Sequence, residues 1–501
     1  MIGFIILSNV HGQKGEWGVK VLLVSANREH FPDPVFPLGL AYAAASILKT
    51  GHRVAVLDLA FAGDSQKALA ESVRKERPEA IAFSLRNLDN AAYPLTRFYL
   101  PDYQVLIRTA REAACGLGSR PPPLIVGGPA FGLMPGTMMK SLGADFGVAG
   151  ESEEAFPALL AALEEGCSPQ GIPGVWCQSQ GGEPSSPPLF PAFPVPLSFD
   201  GGAWTKLRPA RHLFNLPRYL RVGGMANIQT KRGCVFRCRY CTYPLLEGTD
   251  HRLRDPESVV DEIEELVLRH RIRSFFFVDS VFNLPVSHAE GVADALIRRR
   301  LRIRWSAYAS PAGLTMSLLE KMAAAGCDGL EVGTDSAEET TLESLGKGFS
   351  TGRILEVAED CRKIGIPLCH SLIFGGPGET PETVRTTCRV IDSTHPMAVV
   401  AMAGVRLYPG TPLGDWALST GEVKTEEDFL SPRFFIDPAV RSFLIPYLEE
   451  FSSARGNWIL PGVVPPLSPT TQRIIRFLGY KKPLWHLLKY GVFKNRVYRD
   501  R

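Results

Sequence analysis

Long apolar runs, an excess of either charge and paired cysteine sets are all scarce in this chain of 501 residues. No stretch is long and apolar enough to span a bilayer. The apolar start, "MIGFIILSNV", has neither a basic n-region nor a small-residue cleavage site. It reads as a core strand or as an extension over 1–18, not as a signal peptide. With 55 basic against 52 acidic residues the net charge is +3, too little for a chain-wide nucleic-acid footprint, and no nucleic-acid partner is expected. No internal repeat is found. The turn "SANREHFPDPVFPLG" lacks Gly-x-Gly-x-x-Gly, which excludes the usual dinucleotide site. Of ten cysteines, seven are scattered: Cys115, Cys167, Cys177, Cys327, Cys361, Cys369 and Cys388. They read as small core residues in a reducing compartment, which predicts a cytoplasmic protein.

What is present is rhythm. "VKVLLVS", "HRVAVLDL", "AIAFSL" and "PLIVGGP" are short, β-branched runs, and helical stretches such as "PLGLAYAAASILKTG" lie between them. The alternation predicts a doubly wound, Rossmann-like α/β domain over 19–166. Pro, Gly and Ser crowd the next stretch, centred on "GGEPSSPPLFPAFPVP", which reads as a linker over 167–220. A second βα series follows over 221–415, with strands at "MANIQTKRGC", "SFFFVDS", "IRWSAYAS", "GLEVGTD", "PLCHSLIFG" and "AVVAMAGVRLY". Six strands suit a partial βα barrel of the TIM type. The remainder, 416–501, reads as a mainly helical appendage.

The remaining three cysteines stand together in "KRGCVFRCRYCTYP" as Cys234, Cys238 and Cys241. Thiolates at this spacing can hold three irons of a 4Fe–4S cube and leave the fourth iron open to an outside ligand. The competing reading is a zinc site completed by a distant residue such as His251. The unequal spacing and the lack of a second cysteine pair argue against it.

Cys-x-x-x-Cys-x-aromatic-Cys after the first strand of a partial barrel, with Tyr240 as the aromatic, resembles the radical S-adenosylmethionine (SAM) superfamily. The resemblance implies a 4Fe–4S cluster on the three cysteines and SAM chelating the open iron. Its cleavage yields a 5′-deoxyadenosyl radical. Later motifs have counterparts: "FFFVDSVFN" with Asp279 toward the methionyl amino group, and "GLEVGTDS" with Glu331, Asp335 and Ser336 near ribose or methionine. "IFGGPGE" places Gly375, Gly376 and Gly378 beside adenosine, and "RLYPGTPL" places Arg406 near SAM. The N-terminal turns extend the resemblance to enzymes that carry a cobalamin-binding domain ahead of this barrel. It implies cobalamin contacts from Ser84, Arg86, Asn87, Asp89 and Asn90 after the third strand, Gly127, Gly128 and Pro129 after the fourth, and Gly150 and Glu151 at the last helix. His30 stands alone without Asp-x-His-x-x-Gly, so no protein histidine is expected below cobalt.

The combined resemblance, over about 20–415, implies a methyltransferase that acts on an unactivated carbon or phosphorus of a small-molecule, lipid or peptide substrate. A radical cyclase or rearrangement enzyme of lipid or tetrapyrrole synthesis is the alternative. A cofactor-responsive sensor would not need the open-iron trio, and an RNA methylthiotransferase would bring a second cysteine set where Cys115 stands alone. An electron donor such as flavodoxin or ferredoxin is implied. The basic C-terminus carries Arg473, Arg476, Lys481, Lys482, Lys489, Lys494, Arg496, Arg499 and Arg501 against Asp500 alone. It packs on the domain through Trp485, Leu487, Leu488 and Phe493, or else lies peripherally on an anionic membrane.

Overall fold

Two parallel sheets organise the chain in a computed structural model that describes residues 18–118, 121–178, 203–463 and 468–490. The N-terminal "MIGFIILSNV", the centre of the Pro-rich linker, and the tail beyond Tyr490, including Phe493, lie outside the described residues.

The first sheet comprises β1 (Lys20–Ser25), β2 (Arg53–Asp58), β3 (Ala80–Ser84), β4 (Leu124–Gly127), β5 (Phe146–Val148) and β6 (Val175–Cys177). Its order is β2-β1-β3-β4-β5-β6, parallel except for the β5–β6 pair. The four predicted apolar runs are β1 to β4. Their side chains are almost wholly buried in β1, β3 and β4, as a parallel sheet covered on both faces requires. In this order the chain reverses direction between β1 and β3, so their following turns part and leave a crevice at the carboxyl edge.

The second sheet is built from β7 (Ala226–Ile228), then, after the short hairpin β8 (Lys231–Arg232) and β9 (Arg252–Leu253), from β10 (Ser274–Phe277), β11 (Arg304–Ala309), β12 (Cys327–Asp335), β13 (Leu368–Phe374) and β14 (Ala398–Ala403). These are the six predicted barrel strands. A hairpin of β15 (Val405–Arg406) and β16 (Phe434–Phe435) follows, and β17 (Trp458–Ile459) then adds a seventh parallel strand beside β14. That strand comes from the region predicted to be mainly helical. It is two residues long, too short for a period-2 pattern to announce it.

Helix starts follow their caps. Asp255 accepts from the Ser258 amide at 3.0 Å and Pro256 opens the helix Pro256–His270, while Thr380 closes a capping box with Thr383 ahead of Pro381–Ser393. Two of the scattered cysteines depart from expectation: Cys115 and Cys167 are exposed, because each sits in the turn just past a helix end. The other five are buried.

The two sheets share their cores. One continuous apolar cluster joins Val21, Ala41 and Ile47 of the first sheet's layer to Trp204, Leu207 and Phe214 of the linker and on to Phe275 and Trp305 of the barrel. On the opposite face, Val24, Phe83 and Val126 pack with Leu407, Leu413 and Phe435. Linker residue Arg211 is buried on Glu262 at 2.9 Å and on the Asn227 carbonyl at 2.6 Å. The C-terminal segment is tied down as well: Arg476 clasps Asp33, and Trp485 and Leu488 are buried against the barrel. No helix of the described residues is long and apolar enough to cross a membrane.

Gly128 sits at φ +94°, where a Cβ would come within 2.7 Å of the Leu85 carbonyl oxygen. We expect Gly128→Ala to cost about 1–3 kcal/mol by denaturant unfolding, through the strained backbone and the displaced Leu85 turn. Gly51→Ala, at φ +90° with nothing within 4 Å of its Cβ, should cost less.

Candidate active site at the domain interface

The cysteine loop grows from the β8–β9 hairpin, which pins both of its ends. Gly233 starts it at φ +94°, with a Cβ position only 2.0 Å from the Asp250 oxygen, so no other residue fits there. The Cys234 amide donates to the Gly248 carbonyl at 2.9 Å and the Cys241 amide to Cys238 at 3.1 Å. Cys234 is buried, and Cys238 and Cys241 are half-buried. Burial pushes the Cys241 thiol up to about 12 and raises Cys238, whose shift Lys347 opposes. Cys234 and Cys238 both act electrostatically on Cys241, and Cys234 acts on Cys238, so the three thiols are neighbours on the loop. Among the described residues no three His, Cys, Asp or Glu side chains converge on a single-ion position. Three thiols on one short loop match three corners of a 4Fe–4S cube.

Behind the loop, fully buried Asp279 accepts from the Thr230 amide at 2.7 Å, the Thr230 hydroxyl at 2.6 Å and the Lys231 amide at 3.2 Å, with the Lys231 ammonium at 3.6 Å. Both of its oxygens are thus engaged. Its predicted role as a SAM contact becomes that of a positioning residue for the loop. Ser336 is corrected in the same way: it is buried, bonded to Thr387 at 2.8 Å, and turned into the helix layer. Asp335, at φ +61°, binds Lys347 at 2.6 Å and the Tyr240 hydroxyl, which ties the end of β12 to the cysteine loop. The Gly375 and Gly376 amides, predicted to meet adenosine, both donate to the buried Glu379 carboxylate, at 2.9 Å from Gly376. The Gly378 amide donates to Asp437 at 2.8 Å. The glycine-rich turn is saturated from within.

On the other wall, the predicted cobalamin residues line the carboxyl edge of the first sheet. Ser84 ends β3. Arg86 follows, half-buried, and no hydrogen bond or ion pair joins it to another described residue. The Asn87 carbonyl accepts from Tyr103 at 2.8 Å, and the Asn90 side chain accepts from the Arg97 amide at 2.9 Å. Gly127 and Gly128 end β4 packed against the Val148 carbonyl and the Leu85 turn, Pro129 is exposed, and Gly150 follows β5. Gly150 is exposed, and nothing lies within 4 Å of a Cβ there. His30, the histidine of the first turn, is held on the Ala60 carbonyl.

Two predicted contacts prove to be bolts between the walls. Arg406 and Asp89, predicted for different cofactors, bind each other at 2.9 Å, and Arg406 also donates to the Leu407 and Phe429 carbonyls. Glu151 meets Arg252 at 2.6 Å and Arg232 at 3.3 Å, while Glu153 takes Arg232 at 2.6 Å. The Arg232 guanidinium also lies 4.3 Å from the Trp204 ring. Burial alone would lower its pKa, but Glu153 and Glu151 outweigh that and keep it charged. Gly132 completes the junction, a Cβ there falling 3.2 Å from Leu246 of the helix that follows the cysteine loop.

Between the walls, Phe276, Tyr308 and Glu331 face the concave side of the barrel. Phe276 and Tyr308 meet edge-on at 4.9 Å. Glu331 accepts from the Trp485 indole at 2.8 Å, and burial pushes it up to about 7. Sequence reasoning missed the roles of Arg232, Lys347 and Glu379 and the bond from Trp485 to Glu331. Arg232 and Trp485 find partners far along the chain, whereas Glu379 acts within its own turn, on the Gly375 and Gly376 amides.

Comparison with known proteins agrees with both walls. The family model for the Radical SAM superfamily matches residues 228–391, and that for the B12 binding domain matches 24–160. A tryptophan 2-C-methyltransferase of Streptomyces laurentii is 30% identical over 447 residues, covering 78% of this chain and 73% of that protein. A hopanoid C-3 methylase of Methylococcus capsulatus is 24% identical, covering 83% and 74%. The solved structure of TsrM, a radical SAM methyltransferase from Kitasatospora setae with cobalamin and a 4Fe–4S cluster bound, shares the fold. Its TM-score is 0.82 at 23% identity, covering 95% of this chain and 98% of that one. Fold and site thus define a radical SAM barrel joined to a cobalamin-binding domain. The chain belongs to the cobalamin-dependent radical SAM methyltransferases, whose cofactors are a 4Fe–4S cluster, SAM and cobalamin.

Arg232→Met leaves Glu151 and Glu153 with less positive charge in a buried place. We expect a loss of about 3–5 kcal/mol, the usual cost of breaking a buried pair. Arg232→Met with Glu153→Leu should recover part of it in a denaturant double-mutant cycle.

Proposed function

We propose that this enzyme moves a methyl group from SAM to an unactivated carbon of a small molecule held between the cysteine loop and the carboxyl edge of the first sheet. One observation carries the reading. The two cofactor walls are bolted face to face, through Arg232 with Glu151 and Glu153 on one side and through Arg406 with Asp89 on another. A group can then pass between cofactors without a domain swing. The relatives' names, carbon 2 of tryptophan and carbon 3 of a hopanoid, support carbon over phosphorus as the acceptor atom.

When bound, the cluster supplies an electron to cleave SAM and the cobalt carries the methyl group. The chain's own residues do the rest. Cys234, Cys238 and Cys241 hold the cluster, with Lys347 placing a positive charge beside the thiols. Tyr240, Asp335 and Lys347 frame the SAM side, and Asp279 keeps the loop in register. A corrin would lie against the turns at Gly127, Gly128 and Gly150, where Ser84, Arg86 and Asn87 would offer polar contacts, and the first turn carries no Asp-x-His-x-x-Gly. A flavodoxin or ferredoxin type donor fits the need for electrons. The exposed Ile474, Phe477 and Leu478 beside a basic tail support peripheral contact with a surface. The cyclase reading rests on shorter matches, to magnesium-protoporphyrin IX monomethyl ester cyclases over 40% and 46% of this chain, than those of the two methyltransferase relatives above.

Anaerobic holoenzyme incubated with methyl-labelled SAM and a small-molecule extract should yield a labelled product. S-adenosylhomocysteine and 5′-deoxyadenosine should appear with it in near-equal amounts, because one SAM gives the methyl and another the radical. Product with deoxyadenosine but no S-adenosylhomocysteine would point to rearrangement. Product with S-adenosylhomocysteine alone would retire the radical step.

A further inference from the structure

Two carboxylates named in the site lack a Lys or Arg partner, Glu331 and Glu379, and Glu379 is turned onto the Gly375 and Gly376 amides, which leaves Glu331 as the one beside the barrel interior. Asp279 has Lys231, Asp335 has Lys347, Glu151 and Glu153 have Arg232, and Asp89 has Arg406. No lysine or arginine among the described residues pairs with Glu331. Its one hydrogen bond is from the Trp485 indole, to Oε1 at 2.8 Å. The second oxygen, Oε2, is left to whatever occupies the barrel.

Its place in the sheet says what that is. On β12 the alternate residues Leu330 and Val332 are buried in the helix layer, so Glu331 faces the concave interior. It lies directly beside Tyr308 of β11. Tyr308 keeps 41% of its surface accessible although it sits in a central strand between buried Ala307 and Ala309, so the space in front of it is open. Glu331 is four residues below Asp335, about 13 Å down the strand from the residue that touches the cysteine loop. The floor is closed there by Trp485, delivered by the C-terminal segment that also binds Asp33 through Arg476. The interior is therefore a pocket with aromatic walls, the cofactors at its mouth and one uncompensated acid near its floor.

We propose that Glu331, oriented by Trp485, is the substrate-orienting end of the active site, and that it receives a protonated amine of the substrate, with the methyl-accepting carbon held nearer the cofactors. This deepens the methyltransferase reading and rests on it. A half-buried carboxylate without a cation is costly when charged, and desolvation here holds Glu331 up to about 7. An ammonium at Oε2 removes that cost by a charge-assisted hydrogen bond, and the adjoining rings offer it cation–π contact. Arg86 acts on Tyr308 from the opposite wall, but only burial and the Trp485 bond are felt at Glu331, so no described cation already neutralises it. A neutral or anionic substrate would leave the acid unpaired, which gives the pocket a basis for rejecting it.

The test uses holoenzyme with cluster and cobalamin loaded, and two probes of one shape: phenethylamine and 2-phenylethanol. Calorimetry at neutral pH should show the amine binding about tenfold or more tightly, the factor that one charge-assisted contact supplies. Glu331→Gln should abolish the preference while the cluster and cobalamin spectra stay unchanged, and Trp485→Phe should keep its sign. Equal affinities in the wild type, no binding of the amine, or a preference that survives Glu331→Gln would each overturn the proposal. The wild-type comparison needs no substitution, so it stands even if a variant fails to fold. Formation of S-adenosylhomocysteine on adding SAM to reduced holoenzyme is scored separately. Failure of the methyl-transfer reading is thereby told apart from failure of the amine site.

Discussion

The buried charge on Arg232 is the constraint on which the rest of the site depends. It directly precedes Gly233 and Cys234, and its guanidinium reaches out of the barrel to Glu153 at 2.6 Å and Glu151 at 3.3 Å. A guanidinium taken from water loses several kcal/mol of hydration, recovered only when its partners are close and well aimed. The geometry that satisfies it therefore also fixes the base of the cysteine loop against the helix Ser152–Glu164 of the first domain. Trp204 of the linker lies on the same guanidinium, so three parts of the chain meet on one side chain. Arg406 with Asp89 repeats the device across 317 residues of sequence. With two such contacts the relative position of the walls is set by protein alone.

Polar groups near the site then fall into two kinds. Asp279, Ser336 and Arg406 are saturated by protein partners and act by holding turns in place, and Glu379 holds the Gly375 and Gly376 amides through one oxygen. Arg86 and the second oxygen of Glu331 remain open, one on each side of the interior. Pre-set holding groups lower the cost of ordering the site when ligands arrive, and the open groups are where those ligands gain specific interactions. The C-terminal segment belongs to the same scheme. It crosses from Asp33, in the turn after β1, to Glu331 inside the barrel, so the floor of the pocket and the edge of the first sheet are tied together.

Much of this was legible in the sequence, for physical reasons. Strands buried within a covered sheet announce themselves as apolar runs, so β1, β3 and β4 could be read directly, and the edge strand β2 and the six barrel strands followed from the same β-branched rhythm. Three thiols at short spacing can meet only in a local loop, so Cys234, Cys238 and Cys241 needed no long-range information. The failures share one cause. Asp279, Ser336 and Glu151 stand where a ligand contact is expected, but a sequence does not say which way a side chain turns or which distant cation it finds. The roles of Arg232 and Lys347, and the bond from Trp485 to Glu331, were missed because they exist only through partners brought near by folding. Glu379 was missed because a sequence does not say that its carboxylate turns back onto the Gly375 and Gly376 amides. The two-residue strand β17 carried too little pattern, and Cys115 and Cys167 looked like core residues until the turns that expose them were seen.

The central claim is that both cofactors face one shared interior. Electron paramagnetic resonance of anaerobic holoenzyme, with the cluster reduced and cobalamin in its paramagnetic Co(II) state, tests this directly. Two spins held on facing walls should broaden and split each other's signals beyond the sum of the singly loaded forms. A spectrum that is a plain superposition of an isolated cluster and an isolated cobalamin would contradict the account.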